Sequence, residues 1–196
     1  MQLREGPQNE ALRYAFFAER EAAKIPQIAR AEPRQVNSAG VIGSGTMGSG
    51  IAIALLQANV PVALYERDPA ALERGCARIR EVFEANAKSG RMTQAAADRA
   101  LGALTPVEDM RQLAQADLVI EAAYEEMNVK REIFASLDDV VRPGAILASN
   151  TSYLDLDKIA AATSLASLRG LLRGPAGSKV LLRIARGEAP DEARAN

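Results

Sequence analysis

The run Val41-Ile42-Gly43-Ser44-Gly45-Thr46-Met47-Gly48 constrains this chain more than any other stretch. Its glycines fit the pattern G-x-G-x-x-G. They sit between a short apolar stretch, Ala39 to Ile42, and an apolar helical run, Ile51 to Leu56. That setting predicts a strand, a tight turn and a helix built to hold a dinucleotide diphosphate. Gly43 makes the turn, Gly45 lets the ligand approach the backbone, and Gly48 lets helix and strand pack closely. The helix opening at Thr46 and Met47 offers unpaired N–H groups and the positive end of its dipole, which suits an anion. A second strand-length stretch, Val60 to Tyr65, ends on Glu66, 18 residues after Gly48. A carboxylate there accepts hydrogen bonds from ribose hydroxyls and repels a 2′-phosphate, so NAD is expected over NADP. Arg67, next door, pulls the other way.

The rest of the chain supports an α/β reading. Strands are expected at 39–43, 60–65, 117–121 and 145–149, and helices at about 46–58, 69–88, 93–101, 126–139 and 155–162. Such alternation predicts a Rossmann-type, doubly wound parallel sheet covered on both faces. Asp68-Pro69 starts the 69–88 helix as an N-cap followed by proline at the first helical position. Ahead of this domain, Asn9 to Lys24 reads as a helix carrying Tyr14, Phe16 and Phe17, and Pro26 and Pro33 mark a linker. The expected organisation is a helix and linker over 1–37, a nucleotide-binding domain over 38–188 and a frayed tail over 189–196. Lys179 to Ala185 is a strand candidate within the glycine- and arginine-rich C-terminal stretch.

Composition excludes several classes. With 24 basic and 25 acidic side chains, the net charge of −1 offers no pull on nucleic acid or anionic membrane. No apolar run approaches the roughly 18 residues of a membrane span, and Arg4 and Glu5 break any signal-peptide core. The lone Cys76 rules out a disulfide within the chain and points to a reducing cytoplasm. Without a partner base, Cys76 is expected to pack rather than react. No metal site is expected.

Three segments, the glycine turn among them, carry a family resemblance. Gly43 to Ala52, then Glu121-Ala122-Ala123-Tyr124-Glu125-Glu126-Met127-Asn128-Val129-Lys130 with Phe134, then Ala148-Ser149-Asn150-Thr151-Ser152, occur in this order. Together they resemble the NAD-binding domain of 3-hydroxyacyl-CoA dehydrogenases over about residues 37–165. The resemblance implies that Glu66 holds the adenosine ribose. It also implies that Ala122, Glu125 and Lys130 line the far side of the cofactor, with Lys130 bonding hydroxyl or phosphate oxygens. Asn150 and Ser152 follow a strand's carboxyl end, and Ser152 is the implied catalytic contact to the 3-oxygen of an acyl-CoA substrate. The segment Glu10 to Arg20 is similar to the linker that joins an enoyl-CoA hydratase domain to the dehydrogenase in bifunctional β-oxidation proteins, which implies a hydratase domain or related subunit as partner.

The chain departs from that family where the chemistry is done. The family's base is a histidine, oriented by a glutamate about a dozen residues later. The corresponding run here is Gly170-Leu171-Leu172-Arg173-Gly174, with Arg183 at the glutamate position, and the chain has no histidine at all. Leucine accepts no proton and arginine stays protonated near neutrality. The chain is therefore expected to be catalytically impaired. The competing reading is a non-enzymatic NAD-binding or interaction module. A β-hydroxyacid dehydrogenase-type oxidoreductase is a weaker alternative, opposed by the Ala148 to Ser152 segment.

Overall fold

A computed structural model describes residues 6–22, 24 and 35–160, and packing divides the chain after Gln35. The first unit contains α1 (Pro7–Ala22), which buries none of its residues. The second unit is a five-stranded parallel sheet: β1 (Ala39–Ile42), β2 (Val62–Tyr65), β3 (Leu104–Val107), β4 (Leu118–Glu121) and β5 (Ile146–Ser149). Its helices are α2 (Thr46–Gln57), α3 (Pro69–Lys88), α4 (Gln94–Gly102), α5 (Met127–Val140) and α6 (Leu156–Ala160), with a 3₁₀ turn at Met110–Leu113. The expected strand at 179–185 and the domain ends at 188 and 196 lie outside the described residues.

Strand order is β3-β2-β1-β4-β5, so the chain winds outward one way from β1, then returns and winds the other way from β4. That reversal opens a crevice beyond the carboxyl ends of β1 and β4, where doubly wound sheets place their ligands. Strand alternation sorts the core into two faces. Val41, Val62 and Leu64 pack under Leu56, Ile79 and Phe83 of α2 and α3. Ile42, Val119 and Leu147 pack on the opposite face with Phe134 and Leu137 of α5.

Local chemistry sets the helix starts. The Asp68 carboxylate accepts from the Ala70 N–H at 3.0 Å ahead of Pro69. Thr93 caps α4, and Glu126 accepts from the Asn128 and Val129 N–H groups at 3.1 and 3.0 Å to start α5. At the opposite end of the strands, just before β4, Asp117 ties three segments together. It accepts from the Asn37 N–H at 2.7 Å and pairs with Arg142, and the Asn37 bond leads the contacts that hold its carboxyl below the usual range.

β3 is the element the sequence did not announce. Its residues Leu-Thr-Pro-Val alternate no apolar face, and Thr105 and Pro106 are exposed. An edge strand tolerates a proline that a central one would not. Cys76 is half-buried beside the α2–α3 core, and burial pushes its thiol up while Arg80 partly offsets this, as suits a packing residue.

Gly75, inside α3, is where that helix crosses the glycine turn. A Cβ there would lie 2.5 Å from the Ser44 Cβ and 2.7 Å from the Ser44 carbonyl oxygen. Helix propensity favours alanine over glycine by about 1 kcal/mol, whereas forcing a methyl into packed atoms costs about 1–3 kcal/mol. Gly75→Ala is therefore expected to lower the urea midpoint, while Gly102→Ala, with no atom within 4 Å of the added Cβ, leaves it unchanged or higher. Equal midpoints for the two variants would contradict the contact.

Candidate cofactor and active site

β1 delivers the chain into the crevice at Gly43, whose φ of +97° suits glycine. A Cβ on Gly43 would stand 2.6 Å from the Ala122 carbonyl oxygen, and one on Gly48 would stand 1.7 Å from the Gly43 carbonyl oxygen. Gly43 thus lets two loops touch across the switch point, and Gly48 lets α2 sit on the turn. Gly45 differs from both. Nothing lies within 4 Å of its Cβ position, so its backbone faces open space. It precedes a helix with no side-chain cap and no acidic residue in the first turn, and Thr46 and Met47 there are exposed. The turn is braced from behind: the buried Ser44 hydroxyl donates to the Ala71 carbonyl at 2.9 Å, and Ser49 donates to the Ser44 carbonyl at 2.8 Å.

Glu66, just past β2, is held in place by two backbone amides. Its Oε2 accepts from the Ser44 N–H at 3.0 Å and its Oε1 from the Arg67 N–H at 2.8 Å. The carboxylate borders a cleft of about 450 Å³ whose walls include Gly43, Arg67, Met110, Tyr124 and Ile133. An open-faced glycine, an uncapped helix start, a fixed carboxylate and a partly apolar cleft form a set that fits a dinucleotide: diphosphate at Gly45, ribose hydroxyls at Glu66, adenine against the cleft wall.

The other side of the crevice is electrostatic. Glu121 ends β4, and Ser149 is its registered neighbour on β5, both on the face covered by α5. The Ser149 hydroxyl donates to Glu121, and the Ala123 N–H donates to its Oε1 at 2.7 Å. Lys130, one turn into α5, completes the group. Its ammonium donates to both Glu121 oxygens at 2.8 and 2.9 Å and lies 3.1 Å from Glu125 Oε2. Glu121 and Lys130 are both completely buried.

Glu125 forms the outer member and is a quarter exposed. Its Oε1 accepts from the Thr151 hydroxyl at 2.6 Å and from the Ser152 N–H at 2.9 Å. Burial raises the Glu125 carboxyl, but Thr151, Ser152 and Lys130 together hold it below the ordinary range. The Asn150 N–H donates to the Glu121 carbonyl at 2.7 Å, which carries the β4–β5 pairing into the loop. Ser152 is exposed at the mouth of the crevice.

The sequence singled out these segments but not the pairing within them. Lys130, expected to bond cofactor oxygens, is buried, hydrogen-bonded to both Glu121 oxygens and 3.1 Å from Glu125. A buried ammonium is too costly to leave unpaired, and Glu121 supplies the partner. Glu121 and Ser149 went unrecognised because a charged residue ending an apolar strand reads as a boundary. The usable signal was a Glu and a Lys nine positions apart, flanking a strand end and a helix start.

A carboxyl depressed in the folded state stabilises fully above its unfolded value, about 4.3 for Glu. That contribution is lost as pH falls through the folded value. The urea midpoint should therefore hold steady between about pH 5 and 8 and drop in more acid solution. Glu125→Gln is expected to start lower and drop less steeply. An acid limb identical in the variant would show that Glu125 does not contribute.

Comparison with known proteins agrees with this geometry. Residues 38–168 match the family model described as 3-hydroxyacyl-CoA dehydrogenase, NAD binding domain. The peroxisomal bifunctional enzyme of Cavia porcellus is 42% identical over 169 residues, which cover 84% of this chain and 23% of that protein. The peroxisomal fatty acid beta-oxidation multifunctional protein of Oryza sativa subsp. japonica is 39% identical over 160 residues, covering 81% and 22%. Among solved structures, 3-hydroxybutyryl-CoA dehydrogenase from Escherichia coli superposes with a TM-score of 0.68 at 38% identity, covering 71% of this chain and 30% of that one. The chain spans less than a quarter of the length of these two curated relatives. By sequence, by strand order and by the form of the glycine turn, the chain belongs to the NAD-binding domain family of the 3-hydroxyacyl-CoA dehydrogenases.

Proposed function

We propose that this chain is the cofactor-holding part of a 3-hydroxyacyl-CoA dehydrogenase of fatty-acid β-oxidation, and that on its own it binds NAD without useful turnover. One observation carries the second half of that reading: the 196 residues include no histidine. When bound, NAD supplies the hydride acceptor for oxidation at C3 of a hydroxyacyl thioester. The protein's part is to place the reactants and to take the hydroxyl proton. Gly45 and the α2 start receive the diphosphate, Glu66 the adenosine ribose, and Asn150 and Ser152 flank the reacting oxygen. Ser152 donates or accepts one hydrogen bond there but is no general base. Leu172 and Arg183, at the positions of the family's acid–base pair, lie outside the described residues; neither side chain accepts a proton near neutrality. Losing a general base costs about 10²–10⁴-fold in rate.

The same absence of histidine supports a second reading, an NAD-loaded interaction module without chemistry. For either reading the helix α1 is the partner-facing element. It exposes Leu12, Tyr14, Phe16 and Phe17, with the Phe16 and Phe17 rings edge-to-face at 5.4 Å and the Arg20 guanidinium 4.0 Å from the Phe16 centroid. Its proposed partner is a hydratase domain, in keeping with the bifunctional name of the Cavia porcellus relative. Among the described residues no helix is long and apolar enough to cross a membrane. A reducing cytoplasm suits the single cysteine, and the relatives' names add the peroxisome as a second compartment in which the protein is to be sought.

Calorimetric titration followed by a reduction assay with acetoacetyl-CoA tests the proposal. NADH is expected to bind at least about tenfold more tightly than NADPH, a difference of about 1.4 kcal/mol, and Glu66→Ala to narrow that gap. Acetoacetyl-CoA reduction should stay at background. Equal NADH and NADPH affinities would overturn the ribose assignment, and steady turnover abolished by Ser152→Ala would overturn the impaired-enzyme reading.

A further inference from the structure

Arg78, on α3, is a cation at the glycine turn that the proposed function leaves unused. One guanidinium nitrogen, Nη1, donates to the Ser44 carbonyl at 3.3 Å and to the Ser49 hydroxyl at 3.2 Å. The Ser49 hydroxyl, with Arg78 on its oxygen, donates in turn to the same carbonyl at 2.8 Å. Both oxygens that Arg78 meets are uncharged. Among the described residues Arg74, Arg111 and Arg142 pair with Asp68, Asp109 and Asp117, whereas no carboxylate pairs with Arg78. Helix α2 carries no charged side chain of its own. A fixed cation therefore stands beside an uncharged helix start, with its charge uncompensated.

We propose that Arg78 is a positioning residue for the cofactor's diphosphate: it pins the Ser44 carbonyl behind the turn, which aims the Gly45 N–H at the ligand, and it supplies the positive charge that α2 lacks. This rests on the reading that Gly45 and the α2 start receive the diphosphate. The Ser44 carbonyl and the Gly45 N–H belong to one peptide unit, and in a trans peptide they point in opposite directions. With the carbonyl held by Arg78 and Ser49, the N–H is directed away from them, and among the described residues it donates to no other group. Both Arg78 bonds leave a single nitrogen, so they need a cation at that point rather than the planar fork of a guanidinium. Contact with the Ser44–Gly45 peptide assigns the diphosphate to NAD rather than to an acyl-CoA, the other diphosphate-bearing ligand of the proposed reaction.

Titration of Arg78→Met and Arg78→Lys with NADH, ADP-ribose and adenosine tests this. Arg78 is exposed, so both variants should fold, which circular dichroism checks. In Arg78→Met the affinities for NADH and ADP-ribose should fall about tenfold, the scale of one lost charge-assisted hydrogen bond. Adenosine, which has no phosphate, should bind as it does to the unmodified protein. Arg78→Lys should keep most of the affinity, because one ammonium can serve both oxygens. NADH binding by the unmodified protein should weaken with added salt more steeply than binding by Arg78→Met, since the variant lacks a charge to be screened. Unchanged NADH affinity in Arg78→Met would overturn the proposal. So would an equal loss for adenosine, which would make Arg78 a brace of the whole turn, or a loss confined to acetoacetyl-CoA.

Inorganic pyrophosphate gives a reading that does not depend on NAD. Titrated into ¹⁵N-labelled protein, it should displace the Gly45 and Thr46 amide resonances of the unmodified chain, and those of Arg78→Met only at about tenfold higher concentration. Equal midpoints, or a Gly45 resonance that pyrophosphate leaves in place, would overturn the role of Arg78. If the unmodified protein fails to bind NADH, the cofactor reading falls, while the pyrophosphate titration still decides what Arg78 does.

Discussion

Two backbones meet at the switch point of the sheet with no room for a side chain between them. Gly43 lies against the Ala122 carbonyl and Gly48 against the Gly43 carbonyl, at separations that a Cβ would reduce to 2.6 and 1.7 Å. This double contact fixes where α2 begins relative to β1 and how near the loop after β4 approaches. Everything that could hold a ligand is placed by it: the open face of Gly45, the uncapped amides of the helix, and the mouth between Glu66 and Glu125. Gly75 extends the same logic to a third helix, which bears directly on Ser44 and so prevents the turn from relaxing backwards.

The two sides of the crevice solve their electrostatics differently. On the adenosine side a single carboxylate, Glu66, is oriented by backbone amides and kept at the edge of solvent, so it has hydrogen-bonding capacity to offer a ligand. On the other side the charges are turned inward. Glu121 and Lys130 neutralise each other beneath the surface, and only Glu125 emerges, already engaged with Thr151 and Ser152. Buried ion pairs of this kind contribute little net stability, yet removing one partner costs about 3–5 kcal/mol. Such a group is suited to specifying one arrangement of a loop. In this chain that loop holds the proposed substrate contact.

Much of this was legible beforehand because the informative signals are local. A glycine triplet between an apolar strand and an apolar helix, with an acid after the next strand, states its own geometry, and the Asp68-Pro69 segment did likewise; Asn150 to Ser152 stood out only through the family resemblance. β3 was illegible because its short edge strand carries Thr105 and Pro106 on exposed positions and leaves no period to read. The buried network was illegible for another reason. Glu121 and Lys130 are ordinary charges in one dimension. They become a pair only when β4 and α5 share a face of the sheet, and that is a property of topology. The resemblance to dehydrogenases marked the segment but not the ion pair within it.

The central claim is that the backbone at Gly45 receives the cofactor's diphosphate, and calorimetry of NADH binding to Gly45→Val tests it most directly. The space around this residue is empty and its φ of −65° suits any side chain, so the variant should fold, at a cost of about 1 kcal/mol for a poorer helix cap. The account predicts that far-ultraviolet circular dichroism and the Val41 amide protection are retained while NADH binding disappears. A folded Gly45→Val protein that binds NADH as tightly as the unmodified chain would contradict it.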